Sequence, residues 1–309
     1  MPETDYQLII VGGGPAGLTA GLYAARSRLK VVLLEKGAPG GQVMNTDWIE
    51  NYPGFPEGIT GFDLAEKLAA QAQRFGLVTK LCEVQSMDLV GPVKKVFLAG
   101  GETLTSQAVI LATGARPNQL GIPGEKELTG KGVSYCATCD GPFYRGMEIA
   151  VIGGGDTAIQ EAVHLTKFAT RVMVIHRRDE LRASKHLQEM AFANDKIEFI
   201  WDTVVTEVIG SKEVEGLRLK NIQSGEEATL AVKGCFVLVG IRPNKETLPL
   251  DQLANDGGFI ITDKEMRTSQ PGVMAAGDIC SKEVRQIVNA TGEGAVACIA
   301  AENYLGTLN

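Results

Sequence analysis

One pattern occurs twice in this chain, and it constrains the fold more than any other feature. Leu8-Ile-Ile-Val-Gly-Gly-Gly-Pro-Ala-Gly17 and Ile149-Ala-Val-Ile-Gly-Gly-Gly-Asp-Thr-Ala158 lie 141 positions apart. Each reads as a short apolar strand, a glycine turn and the start of a helix. Each is followed by a second apolar run, Lys30-Val-Val-Leu-Leu-Glu35 and Arg171-Val-Met-Val-Ile-His176, whose ends are again 141 apart. A second echo closes both copies. Gly114-Ala-Arg-Pro-Asn118 follows the apolar run Ala108–Ala112, and Gly240-Ile-Arg-Pro-Asn244 follows Cys235–Val239. Proline breaks the strand pattern at both places, so these segments are expected crossings between domains. Strands alternating with helices imply an α/β chain with parallel, doubly wound sheets. The expected architecture is two Rossmann-like domains. The first is discontinuous, 1–115 and 245–309, and the second is inserted as 116–244.

Length agrees with two domains, since 309 residues at roughly 150 each gives about that number. The chain contains 37 glycines, well above a background near 7%, and they follow no triplet period. With 44% apolar residues it is neither disordered nor collagen-like. A net charge of −7 argues against a protein that holds nucleic acid by its phosphates. The acidic start, Met1 to Gln7, lacks the basic residues and long apolar core of a signal peptide. No apolar run reaches the ~18 residues of a membrane span. The expectation is a cytoplasmic protein with no membrane partner.

Of six cysteines only Cys136-Ala-Thr-Cys139 are closely spaced. A zinc site would want a second close pair, and the three histidines do not supply one, so no metal is expected. A C-x-x-C without metal partners fits a redox-active thiol pair. The other four read as small buried hydrophobes.

In each glycine turn the first glycine allows the tight turn and the second lets backbone approach a pyrophosphate. The third, Gly17 or Ala158, allows close packing of helix on strand. The pyrophosphate would lie on the positive helix N-terminus. The residues ending the second strands assign different nucleotides to the two copies. Glu35 can bind both hydroxyls of an unphosphorylated ribose and repels a 2′-phosphate, which suits FAD or NAD. His176-Arg177-Arg178, with Arg182 beyond, offers guanidinium groups that match phosphate oxygens, which suits NADPH. Gly277-Asp278 follows the apolar run Val273–Ala276, and an aspartate there can bond flavin ribityl hydroxyls. The pair of glycines in Thr291-Gly-Glu-Gly-Ala295 reads as a close approach of backbone to a flavin.

With these motifs in hand, the chain resembles the low-molecular-weight thioredoxin reductases of bacteria and plants, almost end to end. The resemblance implies that electrons pass from NADPH to FAD, then to a Cys136–Cys139 disulfide, then to thioredoxin. It assigns FAD to Gly12, Gly14, Pro15, Ala16 and Gly17, and to Glu35 and Lys36. It adds Gly41 and Gln42 with Asn51 in Glu50-Asn-Tyr-Pro-Gly54, then Thr113 and Gly114, and finally Asp278, Arg285, Gln286 and Ile287. It assigns NADPH to Gly153, Gly155, Asp156, Thr157 and Ala158, and to His176, Arg177, Arg178 and Arg182. Cys139 would face the flavin, Cys136 would attack thioredoxin, and Asp140 would protonate the departing thiolate. The resemblance further implies a homodimer formed through the FAD domains, and rotation of one domain against the other at the two Gly-x-Arg-Pro-Asn segments. Two positions depart from the family: Gln160 stands where glutamate is usual, and Cys280 is unusual in the closing motif. A ferredoxin-dependent or NADPH-independent flavin thioredoxin reductase and an FAD dithiol oxidase are the alternatives. The arginine cluster argues against the oxidase, and the intact nicotinamide motifs argue against the ferredoxin-dependent reading.

Overall fold

The computed structural model describes residues 3–46 and 48–308. They form two compact units: unit 1 takes the chain through Arg116 and again from Pro243, and unit 2 is Pro117–Arg242. The repeats put these boundaries at 115/116 and 244/245.

Unit 1 opens with β1 (Tyr6–Val11), α1 (Pro15–Arg26) and β2 (Val31–Glu35). The strands are aliphatic runs that can be buried on both faces, as parallel sheets require. Pro15 at the first helical position forfeits an N–H that has no intrahelical partner there. Next come α2 (Gly61–Arg74) and β3 (Val78–Leu81). The Thr60 hydroxyl caps α2 by accepting the Asp63 N–H at 3.0 Å. An antiparallel hairpin, β4 (Val84–Asp88) and β5 (Lys94–Leu98), leads into β6 (Thr103–Leu111). The chain then leaves through β7 (Ala115–Pro117).

Unit 2 begins with β8 (Val133–Ser134), the four-residue helix α3 (Ala137–Asp140), β9 (Glu148–Ile152) and α4 (Asp156–Leu165). It continues through β10 (Arg171–Ile175), α5 (Lys185–Phe192) and β11 (Ile197–Ile200). An antiparallel sheet of β12 (Thr203–Ile209), β13 (Gly216–Asn221) and β14 (Glu227–Ala231) precedes β15 (Gly234–Val237). Its main sheet has the order β11-β10-β9-β15-β8 and every pairing is parallel.

The chain returns through β16 (Ile241–Pro243). Unit 1 is completed by the small hairpin β17 (Asn255–Asp256) and β18 (Phe259–Ile260), then β19 (Val273–Ala275) and α6 (Ile287–Thr307). The unit 1 sheet runs β3-β2-β1-β6-β5-β4, with β19 added parallel to β6. Leu8, Ile10, Leu33 and Ile110 point to the face covered by α1 and α6, while Ile9, Val11, Val32 and Val109 point to the other. All eight are essentially inaccessible, each burial worth about 1.5–3 kcal/mol.

This topology positions the site. Val11 pairs with Leu34 and Leu111, and Leu111 with Ala275, so β1, β2, β6 and β19 end together at one edge. Unit 2 repeats the arrangement, with Ile152 beside Ile175 and Val237. Ligands in doubly wound sheets bind at such carboxyl edges, where the strand order reverses.

Candidate active site

At the unit 1 edge, Gly12 has φ +107°, and a Cβ there would lie 2.3 Å from the Ala112 oxygen. A Cβ on Gly17 would lie 1.8 Å from the Gly12 oxygen. No other residue type fits either place. Gly14, by contrast, has nothing within 4 Å of a built Cβ, so the turn is open where a ligand would lie. Gly14 is the N-cap of α1, without a side-chain cap and without an acidic residue in the first turn. Those amides and the helix dipole are therefore left for an anion.

Glu35 accepts the Gly37 N–H on Oε1 at 2.9 Å and reaches back to the turn with Oε2. Gly40 donates its N–H to the Gly13 oxygen at 2.8 Å, and the Gln42 side chain donates to the Ala115 oxygen at 3.0 Å. Asn51 donates to the Gln286 side chain at 3.1 Å. The Asn244 side chain donates to the Thr113 oxygen at 2.7 Å, and its N–H donates to Gly114 at 3.0 Å. Gly41, Thr113, Gly114, Asp278, Arg285 and Gln286 all lie in the same unit as the first turn.

Three buried side-chain oxygens here, Thr113 Oγ1, Asn244 Oδ1 and Asp278 Oδ1, have no hydrogen-bond partner among the described residues. Orphaned buried acceptors are costly and fit a bound group that brings hydroxyls. Burial pushes the Asp278 carboxyl above its usual range, with Lys282 and Arg285 opposing the shift and Glu293 reinforcing it. A flavin dinucleotide, with a pyrophosphate for the open turn and hydroxyls for these oxygens, fits the residues present.

Unit 2 copies the design with one change. Gly153 has φ +150°, and a Cβ there would lie 2.5 Å from the Leu238 oxygen. Gly155 is open, as Gly14 is. His176 takes the place of Glu35, one residue beyond the end of β10. It is 5% exposed, and its Nε2 is buried without a partner among the described residues. Burial first, then Arg182, Arg178 and Arg177, depress its pKa, so the ring is neutral in the neutral range. All three arginines are exposed, and among the described residues none is ion-paired. The Arg182 N–H donates to the Gly154 oxygen at 2.8 Å, which draws the cluster to the turn. Asp156 Oδ1 accepts the Ser184 N–H at 2.7 Å and braces the same loop. Exposed cations round a glycine turn fit a phosphorylated dinucleotide.

Cys136 and Cys139 are joined as a disulfide, with Cα atoms 5.3 Å apart. Cys136 is the N-cap of α3, and its Sγ accepts the Cys139 N–H at 3.2 Å. That amide favours negative charge on Cys136 once the bond is opened. Asp140 Oδ2 accepts the Ser134 hydroxyl at 2.5 Å, and the same hydroxyl accepts the Cys136 N–H at 3.1 Å. Ser134 therefore ties the carboxylate to the sulfur-bearing turn. The remaining cysteines are free, and burial pushes the Cys235, Cys280 and Cys298 thiols up to about 12. They are inert by comparison.

A family model described as "Pyridine nucleotide-disulphide oxidoreductase" matches residues 6–294. The chain belongs to this family. It is 44% identical to a thioredoxin reductase of Listeria monocytogenes over 307 residues, 99% of this chain and 96% of that one. It is 48% identical to a bifunctional thioredoxin reductase/thioredoxin of Mycobacterium leprae, over 98% of this chain and 66% of that protein. Among solved structures, the thioredoxin reductase of Streptococcus pyogenes matches with a TM-score of 0.94 at 46% identity, covering 98% of each chain.

Family membership leaves several of this chain's own groups to be found from the structure. The motifs give Ser134, Asn244, Lys282 and Glu293 no role at the site. The echo of Asn118 and Asn244 is a usable signal for the second of these. One expectation is corrected. Gly294 does not bring backbone to a ligand, because a Cβ there would lie 2.2 Å from the Ala16 oxygen. It brings α6 against α1. Its neighbour Gly292 is open.

Proposed function

We propose that the chain is a thioredoxin-disulfide reductase that binds FAD in unit 1 and NADPH in unit 2. The observation that carries the reading is the Cys136–Cys139 disulfide, set in a dinucleotide-binding unit beside a carboxylate and apart from four inert or half-buried thiols. When bound, the flavin supplies a two-electron relay between a nicotinamide and a disulfide.

The chain's residues do the rest. The α1 amides and Glu35 hold the first dinucleotide, and Thr113 and Asp278 accept its hydroxyls. The α4 amides hold the second, and Arg177, Arg178 and Arg182 select its 2′-phosphate. After the internal disulfide opens, Cys136 attacks one sulfur of the thioredoxin disulfide, forming a mixed disulfide and releasing a thioredoxin thiolate. Asp140 delivers the proton to a departing thiolate. Cys139 then attacks Cys136, which re-forms the internal disulfide and frees the second thioredoxin thiolate.

A homodimer through unit 1 is part of the reading. Val288, Val296 and Ile299 form an exposed apolar stripe along α6, and Tyr23 is exposed on α1, the helix that packs against it; such patches mark protein contacts. A reducing compartment such as the cytoplasm suits the four free thiols. Among the described residues no helix is long and apolar enough to cross a membrane.

The test is anaerobic. NADPH should bleach the flavin of the purified protein, NADH should do so poorly, and oxidised thioredoxin should restore the colour. Bleaching by reduced ferredoxin alone would overturn the NADPH assignment.

A further inference from the structure

Asp278 has a buried Oδ1 with no partner among the described residues, although two cations lie close in sequence and act on it. Buried carboxylates near cations normally pair with them. Both cations are engaged elsewhere. Arg285 donates Nη1 to the Lys282 oxygen at 2.6 Å, Nη2 to the Cys280 oxygen at 3.3 Å and Nε to the Asp278 backbone oxygen at 3.5 Å. Its guanidinium also stacks over Phe259 at 4.6 Å from the ring centre. Lys282 donates to Glu293 Oε2 at 2.6 Å, and only 15% and 17% of the two side chains is exposed. The same oxygen accepts the Gly277 N–H at 2.8 Å, one residue before Asp278.

We propose that Glu293 is a positioning residue that holds Lys282 away from Asp278, so that the Asp278 carboxylate stays open to the hydroxyls of the dinucleotide in unit 1. The inference rests on the reading of unit 1 as the FAD unit. Without Glu293, Lys282 would be a nearly buried cation with no counter-ion, and Asp278, four residues before it, is a buried carboxylate on which it already acts electrostatically. The new pair would fill the acceptor that the ligand needs. Glu293 is fitted to prevent this because it fixes both ends of the problem. One oxygen carries the lysine and the amide of the Gly277 turn, whose φ of +82° sets where Asp278 begins.

The prediction is non-additive. E293Q keeps an amide oxygen for the Gly277 N–H but frees Lys282, and it should raise the FAD dissociation constant by about tenfold or more. K282M/E293Q removes the freed cation as well and should return the constant to within roughly threefold of wild type. The measurement is FAD release from purified holoenzyme on serial dilution, read as free-flavin fluorescence, with thermal unfolding run in parallel. If Glu293 only supports the Gly277 amide, E293Q will bind FAD like wild type. If it only fills space, the double variant will be as weak as E293Q. Either result overturns the proposal. Should E293Q fail to fold, the double variant decides alone, since weak binding by a folded K282M/E293Q is fatal. A wild-type protein that purifies without flavin would instead remove the reading of unit 1 itself.

Discussion

Glu35 Oε2 accepts the Gly13 N–H at 2.6 Å, so the end of the second strand is pinned to the middle of the glycine turn. At the equivalent place in unit 2, a Cβ on Gly154 would lie 2.4 Å from Nδ1 of His176. The first turn meets its partner through a hydrogen bond to a flexible side chain, the second through contact with a buried ring. The two middle glycines should therefore tolerate alanine differently. A Cβ on Gly13 would lie 3.1 Å from Glu35 atoms, which can give way. G13A should cost about 1 kcal/mol or less, and G154A about 1–3 kcal/mol with a raised KM for NADPH. Thermal unfolding and KM measurements on the two variants check this, and equal effects would contradict it.

The arginines should act on the phosphate and not on the chemistry. R177A/R178A should raise KM for NADPH by roughly 100-fold, from the loss of charge-assisted hydrogen bonds, and leave KM for NADH nearly unchanged. Steady-state kinetics with both donors decides it.

Thiol counting tests the division of labour among the cysteines. Oxidised protein should react slowly with iodoacetamide, because the free thiols are buried or held up in pKa. After reduction Cys136 and Cys139 should become the fast-reacting pair, which peptide mapping by mass spectrometry can identify. Fast labelling of Cys280 or Cys298 would refute the assignment.

Asp140 has its own signature. D140N should slow thioredoxin turnover by roughly 100-fold through loss of a general acid, with the disulfide still forming. S134A, which removes only the hydroxyl that holds the carboxylate, should fall between D140N and wild type. Stopped-flow reoxidation by thioredoxin is the readout.

The raised carboxyl of Asp278 predicts a pH dependence in protein freed of flavin. Its folded pKa lies above the unfolded value, so the folded state binds the proton more tightly. The resulting stability is present at low pH and is lost as pH rises through the folded value. Wild type should therefore lose stability relative to D278N as the pH is raised from below the ordinary aspartate value of 3.8, while D278N binds FAD more weakly. Urea midpoints across a pH series measure the first effect, and flavin release measures the second.

Much of the fold is legible in the sequence. The repeated strand–turn–helix pattern forces β1–α1–β2 and β9–α4–β10 because aliphatic runs must be buried and only glycine fits Gly12 and Gly153. The expected nucleotide preferences rest on the contrast between the Glu35 carboxylate and the guanidinium groups of Arg177, Arg178 and Arg182. What stayed hidden were contacts made across the chain by ordinary polar residues. Glu293 lies 16 residues from Gly277 and 11 from Lys282, and its place between the two glycines of Thr291-Gly-Glu-Gly-Ala295 points to neither contact. Gly294 was misread for a related reason: a glycine that lets backbone approach a ligand looks the same as one that lets two helices touch.

The split of unit 1 orders the protein's birth on the ribosome. Pro117–Arg242 is one continuous stretch, able to fold as soon as it emerges. The first strands of unit 1 must wait, because β19 and α6 come from residues 273–307. Until then the aliphatic faces that α6 covers stay uncovered, as is common for chains that fold domain by domain. Asp278, Arg285 and Gln286 arrive with residues 273–307, so the groups proposed to grip the flavin from both parts of unit 1 come together only after the whole inserted unit has been made.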